Sequence, residues 1–434
     1  MDLISVNTRK EAGNVPKTPQ KLRICMPSGR NYRREAFNCG HYEAQDVLAE
    51  VDDVDLVCME PGPGYEFKDL WQRKLLYRDI TRKVIFANPG LKKVRLTREY
   101  DLFLARCQTE KDIPHINAIE GWKDHCKTSV LWIDEMWAAL LPKEKYWLHA
   151  LTQFDHIFTS CRGTVGPLSK VIGRPVHWLP CAVDTLRFSP YPDPPARVID
   201  VYSIGRRREE IHQRLLQASK RREIFYIYDT FLGSLADVYD YREHRDYFAS
   251  VAKRSRYFMV APGKIDVVSE NQGQSEVGHR YCEGAAAGAV LIGQAPQGEA
   301  FRHMFPWRDA VIRVQPDGSD VLDVLAELAS DPERASAASQ KNAVGALLRH
   351  DWVYRWREVL RVAGLEPSPG MLSRERRLKE LAAMAAGPVE AEALGKGWQS
   401  IATDLAEPVS ATELGAVSAR RPGRPGHLGG ATSQ

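Results

Sequence analysis

The sequence predicts an α/β protein with two parallel sheets, each covered by helices. Two observations support this: short apolar segments alternate with helical segments, and the alternation stops once and then restarts. The stop is VDTLRFSPYPDPPARV, whose four prolines cannot continue a helix or a central strand, so it is interpreted as an interdomain linker. At 434 residues and 44% hydrophobic content, the chain can build two substantial cores.

The first domain is predicted to span residues 21–183, after a polar, flexible N-terminus of residues 1–20. Its strands are predicted at KLRICMP, VDLVCMEP, YDLFLAR, SVLWIDEMW, FDHIFTS and PVHWLPC. Helical segments such as REAFNCGHYEAQDVLAEV and TVGPLSKVIG lie between some of them.

The second domain is predicted to span residues 184–345, with strands at VIDVYSIG, EIFYIYD, RYFMVAP, AVLIG and DAVIRVQ. A long helical stretch follows, and its part at residues 346–365 is a candidate to pack back on the first domain. Residues 366–434 lose their large apolar residues towards the end, which predicts a disordered or partly helical tail.

The amino-acid composition argues against several classes of protein. Basic residues outnumber acidic ones by only four, so no nucleic-acid partner is expected. The eight cysteines form no CxxC pair, which argues against a zinc ribbon or a disulfide framework. No segment has the length and apolar character of a membrane span or the centre of a signal peptide. A cytoplasmic protein is expected, and a peripheral membrane contact stays compatible with the sequence.

The segment QGQSEVGHRYCEGAAAGAVLIG, residues 272–293, carries the most specific pattern. It follows a predicted strand, and ligands of parallel sheets bind beyond the carboxyl ends of strands, near helix N-termini. Its two acids, helix, Ala/Gly-rich run and strand resemble the two-glutamate signature of nucleotide-sugar glycosyltransferases. These belong to the glycosyl transferases group 1 clan, in its branch similar to spore-maturation proteins, and their GT-B architecture has two Rossmann-like domains facing a cleft. PCAVDTLRFSP and YSIGRRREEIH resemble the same family, so the resemblance covers roughly residues 155–360.

The resemblance implies a nucleotide-sugar site in the second domain. Glu283 would bind the ribose hydroxyls, because a carboxylate accepts from two neighbouring OH groups. Glu276 would face the donor sugar, and basic side chains would contact the diphosphate. The donor-binding candidates are Glu283, Arg206, Arg207, Lys264, Arg280, Gly205 and Gly278.

The first domain would then bind the acceptor, since residues that follow its strands face the cleft. The catalytic candidates are Glu276, Asp134 and His115, and the acceptor-side candidates are Ser28, Gly29, Arg30 and Glu135. Asp134 or Glu135 would be the base of an inverting enzyme. Each also has a structural alternative: a helix cap for Asp134 and Glu135, a turn for Gly29, and a solvated face or loop for Arg206, Arg207 and Glu276.

No cofactor and no essential metal are predicted. Asp53 and Asp55 have DxD spacing, but they lie on the approach to the second strand, where a turn explains them. No GxGxxG follows a strand, which ranks a nicotinamide-dependent enzyme last.

The sequence therefore predicts a metal-independent hexosyl- or related glycosyltransferase. It would move a sugar from a nucleotide-diphosphate sugar to an acceptor hydroxyl, and the clan resemblance favours retention of configuration. The alternative is a noncatalytic GT-B-like protein that binds a glycan or a partner. Its support is the spacing of the acids: six residues separate Glu276 from Glu283, where the family usually has seven, so Ser275 stands at the position of the first acid.

Overall fold

The structure, a computed structural model, describes residues 22–76, 84–142, 147–230 and 237–395. The N-terminus predicted to be flexible and the part of the predicted tail beyond residue 395 lie outside these ranges. The described chain forms two parallel sheets covered by helices, so the predicted fold class is confirmed.

Within the described ranges, the first half of the chain supplies eight strands and five α-helices. The strands are β1 (Arg23–Ser28), β2 (Asp53–Cys58), β3 (Val94–Arg95), β4 (Tyr100–Cys107), β5 (Ile119–Glu120), β6 (Cys126–Ile133), β7 (His156–Thr159) and β8 (His177–Trp178). The helices are α1 (Cys39–Val51), α2 (Tyr65–Leu76), α3 (Trp122–His125), α4 (Leu148–Leu151) and α5 (Arg162–Ile172). β3 pairs with β5, and the other six strands form a sheet in the order β2-β1-β4-β6-β7-β8. Because every pairing in this sheet is parallel, all its carboxyl ends meet at one edge.

The second half builds another parallel sheet, in the order β10-β9-β11-β12-β13. Its strands are β9 (Ile199–Ser203), β10 (Tyr226–Tyr228), β11 (Ser255–Val260), β12 (Val290–Gly293) and β13 (Ile312–Arg313). Its helices are α6 (Thr185–Phe188), α7 (Glu209–Lys220), α8 (Tyr241–Lys253), α9 (Val268–Asn271), α10 (His279–Ala286), α11 (Glu299–Met304), α12 (Val321–Ser330), α13 (Pro332–Arg349) and α14 (Trp352–Val362). None of the helices in the described ranges combines the length and hydropathy needed to cross a membrane.

The chain crosses between the two sheets twice, at Val183 and at residues 350–352. The crossings lie side by side, since the Val183 N–H donates to the His350 carbonyl and the Trp352 N–H donates to the Val183 carbonyl. After the second crossing, α14 packs on the first half of the chain: the Trp356 ring lies 5.5 Å from the Trp132 ring of β6. Apolar packing also connects the halves, because one buried cluster includes Phe103 of β4 and Leu291 of β12.

Within the tail predicted to be disordered or partly helical, residues 369–386 and 388–395 are helical. They form α15 (Pro369–Ala386) and α16 (Pro388–Gly395). Ser368 caps α15 by accepting from the Met371 N–H, and the helix buries four apolar side chains. These are Met371, Leu378, Leu381 and Ala382. The alanine-rich composition that suggested disorder is also the best helix-forming composition, and small side chains pack closely on neighbouring helices.

Candidate functional site

The loop and helix of residues 261–286 form the centre of the site. Helix α10 begins at His279, after Gly278 as the N-cap residue in extended conformation. A Cβ atom on Gly284 would lie 2.6 Å from the Leu291 side chain and 2.7 Å from that of Phe258. Only glycine therefore allows α10 to lie this close to β11 and β12.

Glu283 is buried on α10, and both of its carboxylate oxygens have an arginine partner. Arg245 Nη1 lies 2.5 Å from one oxygen and Arg280 Nη1 lies 2.5 Å from the other. Burial raises the pKa of the Glu283 carboxyl, but the two guanidinium groups outweigh burial and lower it to about 2. Glu283, the residue expected to bind the ribose, is thus paired with protein groups, which compensate the cost of burying its charge.

Arg245 carries this ionic contact into the first half of the chain. Its guanidinium binds Glu43 of α1 through two nitrogens, at 2.7 and 3.0 Å. Glu43 also accepts from the Asp184 N–H at the first crossing and from the Trp352 indole at the second. Glu283 is therefore one end of a buried chain of charges that links both sheets to both crossings.

Glu276 also reaches across the cleft. Its carboxylate accepts from the backbone N–H groups of Arg162 and Gly163, at 2.9 and 2.8 Å, and from the Gln274 amide at 2.6 Å. Cys161, the N-cap residue of α5, makes no side-chain cap, so Glu276 caps this helix from the other half of the chain. Burial raises the pKa of Glu276 above its ordinary value, although these hydrogen bonds oppose the shift.

Asp134 is the centre of a buried polar cluster beyond the end of β6. It pairs with Arg106 at 2.7 Å and His41 at 2.6 Å, accepts from the Ser160 hydroxyl at 2.9 Å, and lies 3.8 Å from His279 of α10. Burial raises the pKa of Asp134, but Arg106 and the histidines hold it well below the ordinary value. A carboxylate held in this way is a poor general base, which removes the basis for that predicted role.

Glu135 and Lys264 approach each other from opposite halves of the chain. The Glu135 side chain is 43% exposed, and its Oε2 lies 3.7 Å from the Lys264 ammonium. Lys264 also pairs with Glu270 at 2.6 Å and lies over the Trp137 ring at 5.4 Å. Its φ of +49° is in the left-handed region, which is strained for lysine. These two predicted residues therefore lie close together at the cleft, where the Glu135 side chain is partly exposed.

The other acceptor-side candidates have structural partners. Ser28 donates to the Gln45 side chain, and Gly29 starts a turn by accepting from the Tyr32 N–H. Arg30 binds Gln45 and Asp46 of α1 and donates to the Tyr241 hydroxyl of α8 at 2.8 Å, so it joins the two halves.

His115 is buried among partners of the first half. Its Nε2 lies 3.0 Å from the Tyr65 hydroxyl and its Nδ1 lies 3.1 Å from the Asp112 carbonyl, while its ring stacks on Tyr32. Asp69 lies 3.4 Å from Nε2. These contacts hold His115 as a core histidine, apart from the Asp134 cluster.

Three residues predicted to bind the donor lie beyond the end of β9: Gly205, Arg206 and Arg207. Each forms a hydrogen bond with another protein group. Gly205, with φ of +82°, donates its N–H to Asp229, which also binds Arg207. The Nη1 of Arg206 donates to both carboxylate oxygens of Asp266, at 2.7 and 2.8 Å. The Arg280 guanidinium borders this turn, since a Cβ on Gly205 would lie 3.4 Å from its Nε.

A pocket of about 560 Å³ opens beyond the carboxyl ends of β11, β12 and β13. Its lining includes two arginines and no acidic residue; the residues are Arg208, Pro262, Gly263, Ile265, Asn271, Gly273, Gln274, Ser275, Gln294, Ala295, Pro296, Gln297, Arg313 and Pro316. Arg208 Nε lies 3.3 Å from Gln294 Oε1, whereas Gln294 Nε2 has no hydrogen-bond partner among the described residues. The position and charge suit an anionic ligand, because parallel sheets bind ligands at this edge.

The pocket lies within the part of the chain that matches a known family. Residues 206–361 match the family model described as glycosyl transferase-like. We call this segment, which is similar to glycosyl transferases, the glycosyl transferase-like domain. The resemblance proposed from QGQSEVGHRYCEGAAAGAVLIG is thereby confirmed. No curated protein sequence matches the chain.

Several solved structures are similar to most of the chain at low identity. An alpha-glucosyltransferase in complex with UDP-glucose and DNA containing an abasic site has a TM-score of 0.49 and 14% identity, covering 79% of this chain and 99% of its own. A glycosyltransferase from Rickettsia africae has a TM-score of 0.45 and 11% identity, covering 79% and 98%. Anabaena HepE in complex with UDP and glucose has a TM-score of 0.44 and 12% identity, covering 79% and 99%.

None of the predicted site residues lines the pocket beyond β11, β12 and β13. Two of the lining residues that sequence reasoning missed in the glycosyl transferase-like domain are Gln294 and Arg313. Each had a usable signal: Gln294 directly follows β12, and Arg313 ends β13, so both stand at the ligand edge of the sheet. The register of the two acids is also explained. Ser275, at the position of the family's first acid, lines the pocket, while Glu276 turns to the N-terminus of α5.

Proposed function

We propose that the protein transfers a sugar from a nucleotide-diphosphate sugar to an acceptor hydroxyl, in the cleft between the two sheets. The observation that carries this proposal is the strand-end pocket with Arg208 and Arg313 and without an acidic residue, inside the glycosyl transferase-like domain. A guanidinium matches phosphate geometry and offsets the charge that develops on a departing diphosphate. Basic side chains would supply this charge without a resident metal, and no cofactor is needed.

Glu283 has a positioning role in this proposal. Its carboxylate binds Arg280, and the Arg280 guanidinium borders the turn at Gly205, next to the pocket residue Arg208. Glu283 would thus orient Arg280 towards the diphosphate, and a ribose hydroxyl would share the carboxylate with the arginines.

The acceptor would enter from the side of the first sheet. Glu135 is the half-exposed acid there, and the adjacent Lys264 would neutralise negative charge on the donor. Asp134 does not serve as a strong base, because its oxygens are occupied by Arg106, His41 and Ser160. In this proposal the transfer retains configuration, the departing diphosphate takes the acceptor proton, and the transferred sugar is a hexose or a related one.

One observation favours the second candidate, a noncatalytic protein that binds a glycan or a partner. Glu276 and Glu283, the two acids expected at the donor, both have protein partners for their oxygens. In this case the pocket would bind a nucleotide sugar or a related anion without turning it over.

Proton NMR on a panel of nucleotide sugars distinguishes the candidates. The protein is incubated with UDP-, GDP-, TDP- or ADP-linked glucose or mannose, with simple glycosides as acceptors and with EDTA present. We expect release of one diphosphate and a product with the donor's anomeric configuration. Binding of a donor without turnover of any panel member would support the noncatalytic candidate, and an inverted product would refute retention.

A further inference from the structure

Helix α2 exposes a stripe of large apolar side chains on one face. The stripe consists of residues at the spacing i, i+3, i+4 and i+7, which places them on the same side of the helix: Phe67, Leu70, Trp71 and Lys74. Phe67 is 66% exposed, Leu70 50% and Trp71 47%. The Phe67 and Trp71 rings lie 5.9 Å apart, and the Lys74 ammonium lies 5.2 Å from the Trp71 ring. Such a contiguous apolar patch marks an interaction site.

The opposite face of α2 fixes the helix in this orientation. Tyr65, Gln72 and Leu76 are buried against the body of the protein. The Gln72 amide donates to the carbonyls of Val84 and Ala87, at 2.7 and 2.8 Å, so the turn between them is held on the helix. Phe86, in this turn, is 43% exposed and adds a further aromatic ring beside α2. The stripe therefore cannot turn inwards.

The charge around the stripe indicates an anionic partner. Residues 60–76 and 84–93 contain five basic and three acidic residues, a net charge of +2. Lys68 and Lys74 are exposed on α2 itself, where their long side chains can keep the ammonium groups at the level of polar headgroups.

The size of the patch argues for a lipid surface over a second protein chain. A stable protein interface buries roughly 800 Å² per partner, and a few side chains on one helix and one turn offer much less. Binding to a bilayer needs a smaller apolar area. An amphipathic helix with Trp, Phe and Leu on one side and lysines beside them inserts only shallowly between the headgroups.

We propose that α2 docks the protein on an anionic lipid bilayer, with Phe67, Leu70 and Trp71 inserted and Lys68 and Lys74 at the headgroups. The helix begins after the carboxyl end of β2, the same edge of the first sheet that carries Asp134. A docked bilayer therefore lies beside the cleft. This docking is independent of the proposed transferase activity.

Co-sedimentation with vesicles tests the docking. The probe is vesicles of 70% phosphatidylcholine and 30% phosphatidylglycerol, with pure phosphatidylcholine vesicles for comparison. The test variant is Phe67→Ser with Trp71→Ser, and the matched control is Val198→Ser with Phe225→Ser, which removes two similarly exposed apolar side chains from the second half of the chain. All four positions are exposed, so both variants should keep the thermal unfolding midpoint of the wild type.

We expect the wild type and the control to sediment with the anionic vesicles, and the Phe67/Trp71 variant to lose about tenfold or more of its partition coefficient. Binding to the neutral vesicles should be weaker, and added salt should reduce the anionic binding. The proposal is overturned if the wild type stays in the supernatant or if both variants bind alike. It is also overturned if the wild type self-associates through this face in gel filtration and does not bind vesicles.

Discussion

Glu283 and His279, one turn apart on α10, illustrate how buried charges on this helix depend on partners from elsewhere in the chain. Glu283 is held by two arginines, and His279 faces Asp134 of the other half. The sequence could indicate that an acid lies on this buried helix, because a run of small residues follows it. It could not indicate Arg245 as the partner, since that residue stands 38 positions away and looks like part of a solvated helix.

Glu283→Gln should destabilise the protein at neutral pH by roughly 3 kcal/mol, because it leaves buried guanidinium charge uncompensated. The pKa of Glu283 is lowered from 4.5 to about 2, so its contribution to stability is present above pH 4.5 and is lost as pH falls towards 2. Urea unfolding at several pH values measures this. Glu223→Gln, at a fully exposed Arg221 pair, is the control. A deficit that stays constant down to pH 2.5 would contradict the assignment.

His279→Gln should show the opposite pH dependence. Burial lowers the pKa of His279, but Asp134, Cys181 and Glu283 outweigh burial and raise it above 6.5. The stabilisation from the charged histidine is therefore complete below pH 6.5 and is lost as pH rises through the raised pKa. The difference in unfolding midpoint between the variant and the wild type should be larger at pH 5.5 than at pH 8.5. An equal or larger difference at pH 8.5 would show that the bridge to Asp134 does not form.

At the scale of elements, the strands of both sheets were predictable from their apolar runs, whereas α2 was not, and α15 was expected only as part of a disordered or partly helical tail. α2 exposes the apolar residues that a pattern search assigns to a core, and α15 hides its apolar spacing among alanines. α15 also carries a buried arginine. Arg374 pairs with Asp184 at the first crossing, at 2.6 Å, and with Asp351 at the second, at 2.9 Å.

Arg374→Met should unfold the protein at a clearly lower denaturant concentration, with a loss of roughly 3–5 kcal/mol, because Asp184 and Asp351 remain buried without their cation. Arg377→Met on the same helix is the matched control, since its side chain is 50% exposed and its pair with Glu380 is 3.6 Å long. Urea unfolding of both variants is the measurement. Equal stability of the two variants would refute the role of α15 in holding the crossings together.

At the scale of the whole molecule, polar contacts join the two halves across the cleft, and four of them serve as examples. They are Glu43 with Arg245, Arg30 with Tyr241, Glu276 with the N-terminus of α5, and Asp134 with His279. The linker and the second series of strands allow a single sequence to indicate that two sheets face each other. It does not indicate which polar residues meet, because each contact joins residues at least 113 positions apart.

Isothermal titration with UDP, GDP, TDP and ADP tests the proposed donor site most directly. We expect at least one diphosphate to bind the wild type, and the double variant Arg208→Ala with Arg313→Ala to weaken that binding tenfold or more. Arg256→Ala, at the amino end of β11 and so at the opposite edge of the same sheet, should bind like the wild type. If none of the four binds the folded wild type, or if the double variant binds as tightly as Arg256→Ala, the strand-end pocket is not a nucleotide site.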